Sequence, residues 1–306
     1  MHQLIEIAKR CKWIRRSYTY LRECLFQATT VVSPVLNTKM RYWFTHGKRL
    51  DLKKPKTFHE KLLWLKLFRY MKDPLVIQCA DKYLVREYVK QCGYEHILND
   101  LLGVWDRIED VPWDDLPQQF ALKWNFGAGF NLVCESKKEL QIEQVVQQFH
   151  EWERQKCWLS HSEMHYKYIP KRIVCERYLK DNSTKDLFDY KVYCFHGIPK
   201  AILVMQDRSS GVKTEFFDTN WIKLNNTKKY REPAAKTAKP VCLDQMIAIA
   251  TKLSKPFPFV RCDFYVVNQR LYFGELTFTP AAGMYTSETT IHGTNMADLI
   301  QLPTDS

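Results

Sequence analysis

The segment that most constrains the fold is residues 259–278, which read FVRCDFYVVNQRLYFGELTF. Two runs rich in β-branched and aromatic residues flank Asn268-Gln269, and a two-residue interruption of this kind is typical of a hairpin turn. The pattern therefore predicts a β-hairpin with strongly apolar arms. Each arm also carries a carboxylate, which is unusual for strands of this composition.

These two carboxylates, Asp263 and Glu275, lie near positions that can pair across the turn. Successive side chains of a strand alternate between its faces. The predicted face sets are Arg261, Asp263 and Tyr265 on the first arm, and Phe273, Glu275 and Thr277 on the second. A carboxylate in an apolar strand is costly unless it is paired or binds a cation. The hairpin thus indicates either a site for Mg²⁺ and polyphosphate or a buried Arg261–Glu275 ion pair.

Further segments have the composition of strands. Residues 189–207 predict a second hairpin that turns at His196-Gly197. Single strands are expected within 101–117, 119–125, 172–179 and 213–221. The strand at 119–125 leads into two glycines in the stretch LKWNFGAGF (122–130). Glycine serves any turn that needs a positive φ, so this pair alone is a weak signal for a phosphate loop.

Three regions have the apolar spacing of helices, namely 56–91, 136–155 and 243–254. The first predicts two helices divided near Lys72-Asp73-Pro74, since Asp can cap a helix and Pro can open one. The second predicts an amphipathic helix with Ser136 as its N-cap and Glu139 completing a capping box. Helices combined with a mostly antiparallel sheet indicate an α+β fold in more than one lobe.

The composition is that of an ordinary globular chain, with 306 residues of which 45% are hydrophobic and 26% are charged. Ten cysteines occur without Cys-x-x-Cys spacing, so reduced thiols are expected rather than a disulfide framework or a zinc ribbon. The sequence shows neither an apolar run of membrane-spanning length nor the hydrophobic region of a signal peptide. These features predict a soluble, cytoplasmic protein.

Positive charge is concentrated at the N-terminal end of the chain. The net charge is +12, and residues 1–60 hold thirteen Lys and Arg against four Asp and Glu. Aromatic residues and leucines interleave with these charges in residues 8–26. The pattern fits a helix packed on the body of the protein, or a basic amphipathic helix on anionic lipid at the inner face of the membrane. An acidic polymer is a third candidate partner, and nucleic acid is the least favoured.

Several common catalytic motifs are absent. The chain has no Asp-x-Asp, which weakens a metal-dependent glycosyltransferase, and no Gly-x-x-x-x-Gly-Lys-Ser/Thr, which excludes a Walker-type NTPase. It also lacks Gly-x-Ser-x-Gly, which argues against a serine hydrolase. His161 and His165 stand four residues apart in HSEMH, but they lack the usual zincin arrangement and are not expected to bind metal.

The order of the motifs resembles the TupA-like ATP-grasp family from about residue 56 to Pro303. The motifs are LLGVWDRIEDVPWDDLPQQFALKWNFGAGFNLVC, IVCERYLKD, DYKVYCFHGIPK, QDRSSG and PFPFVRCDFYVVNQRLYFGELTFTPAAGM. The resemblance implies an ATP-grasp fold, in which two α/β lobes bind a nucleotide between them. The implied parts are a basic N-terminal helical arm (1–55), a helical segment (56–118), an ATP-binding lobe (119–180) and a C-terminal catalytic lobe (181–306).

The resemblance also implies roles for individual residues. For the nucleotide, Lys123 would reach the phosphates, the glycine loop would be Asn125, Gly127, Ala128 and Gly129, and the adenine-binding hinge would be Glu176, Arg177, Tyr178 and Leu179. For catalysis, Arg261, Lys191 and Arg208 would contact phosphate or substrate, and Asp263, Glu275 and Thr277 would bind Mg²⁺. Phe126 and Ala128 replace the His and Ser usual in this loop, which leaves backbone amides as phosphate donors.

Members of this family are similar to ATP-dependent carboxylate–amine ligases and belong to the biosynthesis of capsule, teichuronopeptide and other cell-surface polysaccharides. The resemblance implies ATP and Mg²⁺ as cofactors and an acylphosphate intermediate. The expected substrates are a uronic acid or similar carboxylate of an anionic glycan and an amino acid or amine. Two alternatives stay open: a glycosyltransferase or phosphotransferase of surface polysaccharide biosynthesis, and a catalytically degenerate ATP-grasp scaffold.

Overall fold

The computed structural model describes residues 12–182, 186–206, 211–224, 237–284 and 290–303. The helices are α1 (Lys12–Val32), α2 (Pro34–His46), α3 (Phe58–Trp64), α4 (Pro74–Ala80), α5 (Val85–Gln91), α6 (Ile142–Arg154), α7 (Cys157–His161) and α8 (Leu243–Ser254). The strands are β1 (Leu101–Trp105), β2 (Phe120–Trp124), β3 (Asn131–Cys134), β4 (Ile173–Arg177), β5 (Asp189–Phe195), β6 (Ile198–Gln206), β7 (Lys213–Asp218), β8 (Phe259–Val267), β9 (Arg270–Thr277), β10 (Thr290–Ile291) and β11 (Thr294–Asn295). This combination of helices and antiparallel sheets confirms the predicted α+β class.

The first sheet has four antiparallel strands in the order β1-β4-β2-β3. Phe120, Leu122 and Trp124 alternate inward along β2 and are buried. The Trp124 indole donates a hydrogen bond to the Phe149 carbonyl of α6 over 3.1 Å, which holds that helix on the apolar face. The intervening Lys123 therefore projects from the opposite face of the sheet.

The second sheet has five antiparallel strands in the order β7-β6-β5-β8-β9, and one apolar core is continuous across both sheets. Both predicted hairpins are confirmed. The β5–β6 turn is at His196-Gly197 and the β8–β9 turn is at Asn268-Gln269, all with positive φ. Two consecutive left-handed residues match the right-handed twist of the flanking strands.

A β-bulge sets the register of the β8–β9 hairpin. Phe264 pairs with Phe273, but the next pair is Asp263 with Glu275, so Gly274 is the extra residue. A Cβ at Gly274 would lie 2.9 Å from the Asp263 carbonyl oxygen, so this close approach requires glycine. The extra residue turns Glu275 toward Asp263. It also moves Phe273 to the other face, so its predicted grouping with Glu275 is wrong.

The predicted helical region 56–91 forms three helices rather than two. The Asp73 carboxylate accepts hydrogen bonds from the Leu75 and Val76 amides, which confirms the cap of α4. The expected second helix is interrupted at Asp81, whose Oδ1 accepts from the Tyr83 and Leu84 amides. A short polar side chain that bonds to nearby amides competes with helix continuation, so the chain leaves the helix here.

The predicted capping box at Ser136 is wrong. Ser136 makes no capping hydrogen bond, residues 137–139 form a 3₁₀ turn, and α6 begins only at Ile142. The Lys137 ammonium donates to three carbonyls of the preceding segment, those of Trp113, Asp114 and Leu116. These three hydrogen bonds hold residues 137–139 away from the axis of α6. They override the local preference for a helix that begins at Ser136.

The N-terminal helices are attached to the body through a buried polar network. The Asn37 side chain of α2 donates to the Phe26 carbonyl of α1 over 2.6 Å and accepts from the Ser162 hydroxyl over 3.0 Å. The Thr30 hydroxyl of α1 donates to the Leu159 carbonyl of α7 over 2.5 Å. Buried polar groups that are paired in this way fix the orientation of the packed elements.

Candidate functional site

The β8–β9 hairpin carries a compact ionic cluster. Buried Asp263 accepts hydrogen bonds at 2.6 Å from Lys191 Nζ and from both Nε and Nη2 of Arg261. Lys191 lies on β5 directly opposite Asp263, so the register of the central strands creates this contact. Both carboxylate oxygens of Asp263 are therefore engaged by cationic donors.

Glu275 is the more accessible carboxylate of the hairpin, with its side chain 44% exposed. The Thr277 hydroxyl donates to Glu275 over 3.0 Å and accepts from Arg261 over 3.1 Å, while the Arg261–Glu275 ion pair itself is longer, at 3.6 Å. Burial raises the pKa of Glu275, but the charges of Lys82, Arg261 and Lys191 outweigh burial and lower that pKa. Glu275 is thus an ionised carboxylate that is open to solvent.

Lys82 is a site residue that the sequence analysis missed. Its backbone amide donates to the Asn125 carbonyl over 2.9 Å, and its ammonium donates to the Gly127 carbonyl over 2.6 Å. Burial lowers the pKa of Lys82, and the charge of Glu275 opposes that effect. The turn that Asp81 imposes therefore places one cation against the glycine loop of the first sheet, where it interacts electrostatically with Glu275 of the hairpin.

The glycine loop between β2 and β3 is anchored at its base and open at its tip. Gly127 has a φ of 66°, and a Cβ there would lie 2.9 Å from the Phe130 ring. Phe126 is buried, with its ring centroid 5.6 Å from those of both Trp124 and Phe130. Ala128 and Gly129, in contrast, are exposed at the tip. The apolar residue at position 126 therefore fixes the loop by packing.

Asn125 anchors the same loop to the segment that precedes β4. It is fully buried, its amide nitrogen donates to the Pro170 carbonyl over 2.8 Å, and its amide oxygen accepts from the Arg172 backbone over 2.8 Å. Both ends of the side chain are committed to the protein. In this arrangement Asn125 positions the loop.

Lys123 and Glu176 form the ionic pair of the first sheet, at 2.7 Å. Arg86 of α5 contacts the other oxygen of Glu176 over 3.3 Å and also donates to the Asn99 carbonyl over 2.8 Å. Glu176 thus holds two cations on the face of the sheet that carries Lys123. The lysine is positioned before any ligand arrives, and an anionic ligand would compete with Glu176 for it.

Two other residues of the predicted hinge, Arg177 and Tyr178, line a pocket together with Gln119 and Glu135. The Arg177 side chain is exposed and pairs with Asp100 at 2.7 Å, while its carbonyl accepts from the Asn99 amide. Tyr178 and Leu179 are partly buried, beyond the end of β4. Of the four hinge residues, only Glu176 contacts Lys123. The predicted site residue Arg208 lies outside the described residues.

A third carboxylate, which the sequence analysis also missed, is that of Glu163, which lies near this hairpin. Thr279, just beyond β9, donates its hydroxyl hydrogen to Glu163 Oε1 over 2.5 Å. Within the described part of the chain, no hydrogen bond engages the second oxygen of Glu163. Burial raises the pKa of the neighbouring Tyr166, and the charges of Glu163 and Glu275 raise it further. Tyr166 therefore interacts electrostatically with both carboxylates, those of Glu163 and Glu275.

Lys66 secures the segments on either side of Glu163. It is completely buried, and its ammonium donates to the carbonyls of His161 over 2.7 Å and Ala282 over 3.4 Å. Burial lowers the pKa of Lys66 to about 8, an effect that the charge of Glu163 opposes. Lys66 thus supports Glu163 electrostatically while its own hydrogen bonds go to the backbone.

The hairpin has donor chemistry that suits Mg²⁺, which proteins commonly bind through one or two carboxylates together with substrate phosphates. Glu275 offers an accessible carboxylate, whereas Asp263 is committed to Lys191 and Arg261. The Thr277 hydroxyl is used as both donor and acceptor, so it positions Glu275. No cluster of three or more metal-binding His, Cys, Asp or Glu side chains occurs among the described residues, including His161 and His165.

The chain is similar to known proteins in both family and fold. The family model described as TupA-like ATPgrasp matches residues 60–296. Among solved structures, a D-alanine–D-alanine ligase from Helicobacter pylori has 15% identity and a TM-score of 0.43, with 80% of this chain and 69% of that chain covered. The same enzyme from Bacillus anthracis has 15% identity and a TM-score of 0.38, with 66% and 57% covered.

A carboxyaminoimidazole ribonucleotide synthase from Aspergillus clavatus, complexed with ATP, has 10% identity and a TM-score of 0.41, with 66% of this chain and 45% of that chain covered. The chain thus spans little more than half the length of the Bacillus anthracis ligase. No curated protein matches the chain.

Proposed function

The chain belongs to the TupA-like ATP-grasp family, and on this premise we propose that it is an ATP-dependent ligase that joins an amine to a carboxylate. The observation that carries the proposal is the position of Lys82. Its ammonium contacts the glycine loop at Gly127, and its charge acts on Glu275 of the hairpin. A cation between a loop of exposed amides and a carboxylate pair suits the β- and γ-phosphates of ATP.

Nucleotide binding would use the first sheet and its loop. The exposed amides at Ala128 and Gly129 supply backbone donors, and Lys123 supplies a charge. Lys82 would exchange its contact with the Gly127 carbonyl for a phosphate oxygen, which is the stronger acceptor. The Lys123–Glu176 pair would be similarly reorganised, because both partners face the same side of the sheet.

The first chemical step would convert the substrate carboxylate into an acylphosphate. One carboxylate oxygen attacks the γ-phosphorus, the bond from that phosphorus to the β–γ bridging oxygen breaks, and ADP leaves with the bonding electrons. The protein's contribution is alignment and charge stabilisation, for which Arg261 and Lys191 are held in fixed positions by Asp263. Mg²⁺ bound through Glu275, with Asp263 beside it, would neutralise charge on the phosphates.

In the second step, the amine nitrogen attacks the acyl carbon, the bond to the phosphate oxygen breaks, and inorganic phosphate leaves. The nitrogen must lose a proton to become a neutral amide. Glu163 is suited to bind the incoming amine, because Thr279 holds one of its oxygens and no other described residue donates a hydrogen bond to the second. A carboxylate whose pKa is raised by burial is also a better proton acceptor than an ordinary exposed one.

We propose that the carboxylate is a uronic acid, or a similar sugar acid, of a capsule, teichuronopeptide or other surface polysaccharide precursor, and that the amine is an amino acid. The support is the family to which the chain belongs. The charge of the site is compatible with such an anion. When phosphates bind Lys82 and Lys123, the cations Arg261 and Lys191 would still be present at the hairpin to attract a carboxylate.

A trapping experiment tests the proposal. The protein is incubated with Mg·ATP, D-glucuronic acid and a pool of the twenty amino acids, and ADP is measured with and without hydroxylamine, which converts acylphosphates to hydroxamates. We expect carboxylate-dependent ADP release in the wild type and its loss in Asp263→Asn and Glu275→Gln. Glu95→Gln is the matched control, because Glu95 is exposed and pairs with surface Lys90.

Three outcomes would contradict the ligase. Sugar transfer from a nucleotide sugar without ATP turnover would indicate a glycosyltransferase, and nucleotide-independent phosphate transfer would indicate a phosphotransferase. Failure to bind ATP would favour a catalytically degenerate scaffold. The scaffold has one observation of its own in its favour, since Asp263 is already neutralised by Lys191 and Arg261.

A further inference from the structure

The outer face of the N-terminal helices is unusually apolar. Nine of the eighteen large hydrophobic side chains that are exposed in the described residues lie between positions 18 and 44. On α1 they include Tyr18 at 60%, Leu21 at 66% and Leu25 at 52% exposure, which follow one another at helical spacing. Single exposed hydrophobic residues are ordinary, but a concentration of this kind marks an interaction surface.

Within residues 17–32 of α1, the charged side chain that reaches this face is that of Arg22, whose guanidinium lies 5.9 Å from the centre of the Tyr18 ring. From residue 17 to residue 32 the only charged side chains are Arg22 and Glu23. Glu23 is paired with buried Arg41 of α2 at 2.5 Å, and that guanidinium lies 4.0 Å from the centre of the Phe26 ring. The packed side of α1 therefore holds an ion pair while the outward side carries apolar residues. This is the reverse of an ordinary solvated helix.

Helix α2 extends the surface with two aromatic side chains. Trp43 and Phe44 are 54% and 52% exposed, and their ring centroids are 5.0 Å apart. The Phe44 ring also contacts the Phe26 ring of α1 edge-on, with the centroids 5.5 Å apart, so the two helices pack against each other at this point. Exposed cations occur in α2 and in the segment that follows it: Lys39, Lys48, Arg49, Lys53 and Lys54.

We infer that this surface, which we call the arm face (Tyr18, Leu21, Leu25, Trp43 and Phe44), docks on an anionic lipid bilayer. Aromatic and aliphatic side chains favour the boundary between headgroups and acyl chains. Each basic residue near an anionic surface adds to the attraction. None of the helices within the described ranges is long and apolar enough to cross a bilayer, so the arm would lie along the surface.

A second copy of the chain is the main competing occupant of the arm face. Charge argues against it, because residues 1–60 hold thirteen Lys and Arg against four Asp and Glu. A self-complementary contact would bring two such positive segments together, and juxtaposed like charges oppose association. An anionic bilayer is complementary to both the apolar and the basic parts of this region. The inference does not depend on the proposed ligase activity.

Vesicle flotation tests the inference with the full-length protein. The probes are vesicles of phosphatidylcholine alone and vesicles of equal parts phosphatidylcholine and phosphatidylglycerol. We expect binding to the anionic vesicles, at least tenfold weaker partitioning for Leu21→Gln/Leu25→Gln, and a similar loss for Lys53→Glu/Lys54→Glu. The matched control is Ile198→Gln/Val241→Gln, which removes two exposed apolar side chains elsewhere, at 53% and 75% exposure, and should bind as the wild type does.

Three results would overturn the inference. The first is absence of binding to the anionic vesicles, and the second is equal weakening by the arm-face variant and by the Ile198/Val241 control. The third is a wild-type dimer, seen by light scattering, that Leu21→Gln/Leu25→Gln converts to a monomer without any vesicle binding. Circular dichroism of each variant separates these results from misfolding, and all the substituted side chains are exposed.

Discussion

Replacing Lys82 by methionine should selectively weaken ATP binding. The substitution keeps an unbranched side chain of similar length and removes the ammonium that contacts the Gly127 carbonyl. It also removes one of the charges that lower the pKa of Glu275. If Lys82 binds the phosphates, the variant loses a charge-assisted hydrogen bond in the nucleotide complex and a positive neighbour of the catalytic carboxylate.

The magnitude follows from the kind of bond that is lost. Hydrogen bonds to charged groups contribute about 1.5–3 kcal/mol. At 1.4 kcal/mol per factor of ten, the dissociation constant of Mg·ATP should rise by roughly 10- to 150-fold. Because removal of Lys82 raises the pKa of Glu275, the acidic limb of the activity profile should also move to higher pH.

Calorimetric titration with Mg·ATP measures the first effect, and Lys61→Met is the matched control. The Lys61 ammonium also donates to backbone carbonyls, those of Ala297 at 2.8 Å and Ile300 at 2.9 Å, but it contacts neither the glycine loop nor the hairpin. Both variants should lower the melting temperature, and only Lys82→Met should weaken nucleotide binding. Equal affinity in Lys82→Met and wild type, or equal weakening by both variants, would refute the reasoning.

Two further predictions concern the neighbouring carboxylate and a buried histidine. Glu163→Gln should retain hydroxamate formation in the trapping assay but lower kcat/KM for the amine at least tenfold. If hydroxamate formation and kcat/KM for the amine fell by the same factor, Glu163 would have a structural role only. Burial, reinforced by Lys66, lowers the pKa of His165 to about 3. Because the unfolded chain binds this proton near pH 6.5, the free energy of unfolding should fall as pH drops from about 6.5 toward 3. In urea titrations, His165→Gln should lose less stability than the wild type over that range, and parallel curves would count against this assignment.

Local sequence patterns predicted most of the sheet architecture. Strands β2, β4 and β7 and both hairpins lie within the predicted segments, and the two turns are at the predicted residue pairs. Alternation and turn chemistry act between neighbours in sequence, so they can be read without knowledge of the rest of the chain. The same applies to the Asp73 cap, whose acceptor and donors are at most three residues apart.

Two predictions proved wrong because contact or pairing with another segment, rather than local preference, decides the outcome. Ser136 and Glu139 have the spacing of a capping box, but Lys137 is held by carbonyls more than twenty residues away. The bulge at Gly274 moved Phe273 away from Glu275, although simple alternation would group them. A one-residue change of register reverses the facing of every side chain beyond it.

The sequence by itself determined that Asp263 and Glu275 belong to one hairpin with Arg261 and that a glycine loop follows a buried strand. Only the tertiary structure brought Lys82 and Glu163 to this site. The Asp81 that precedes Lys82 within an apolar helical pattern could have predicted a break in the helix. It could not have predicted which group the Lys82 side chain contacts. Lys82 meets a carbonyl 45 residues away and Glu163 a hydroxyl 116 residues away. The physical reason is that periodicity encodes which face of an element is buried, whereas packing of the whole chain decides which elements meet.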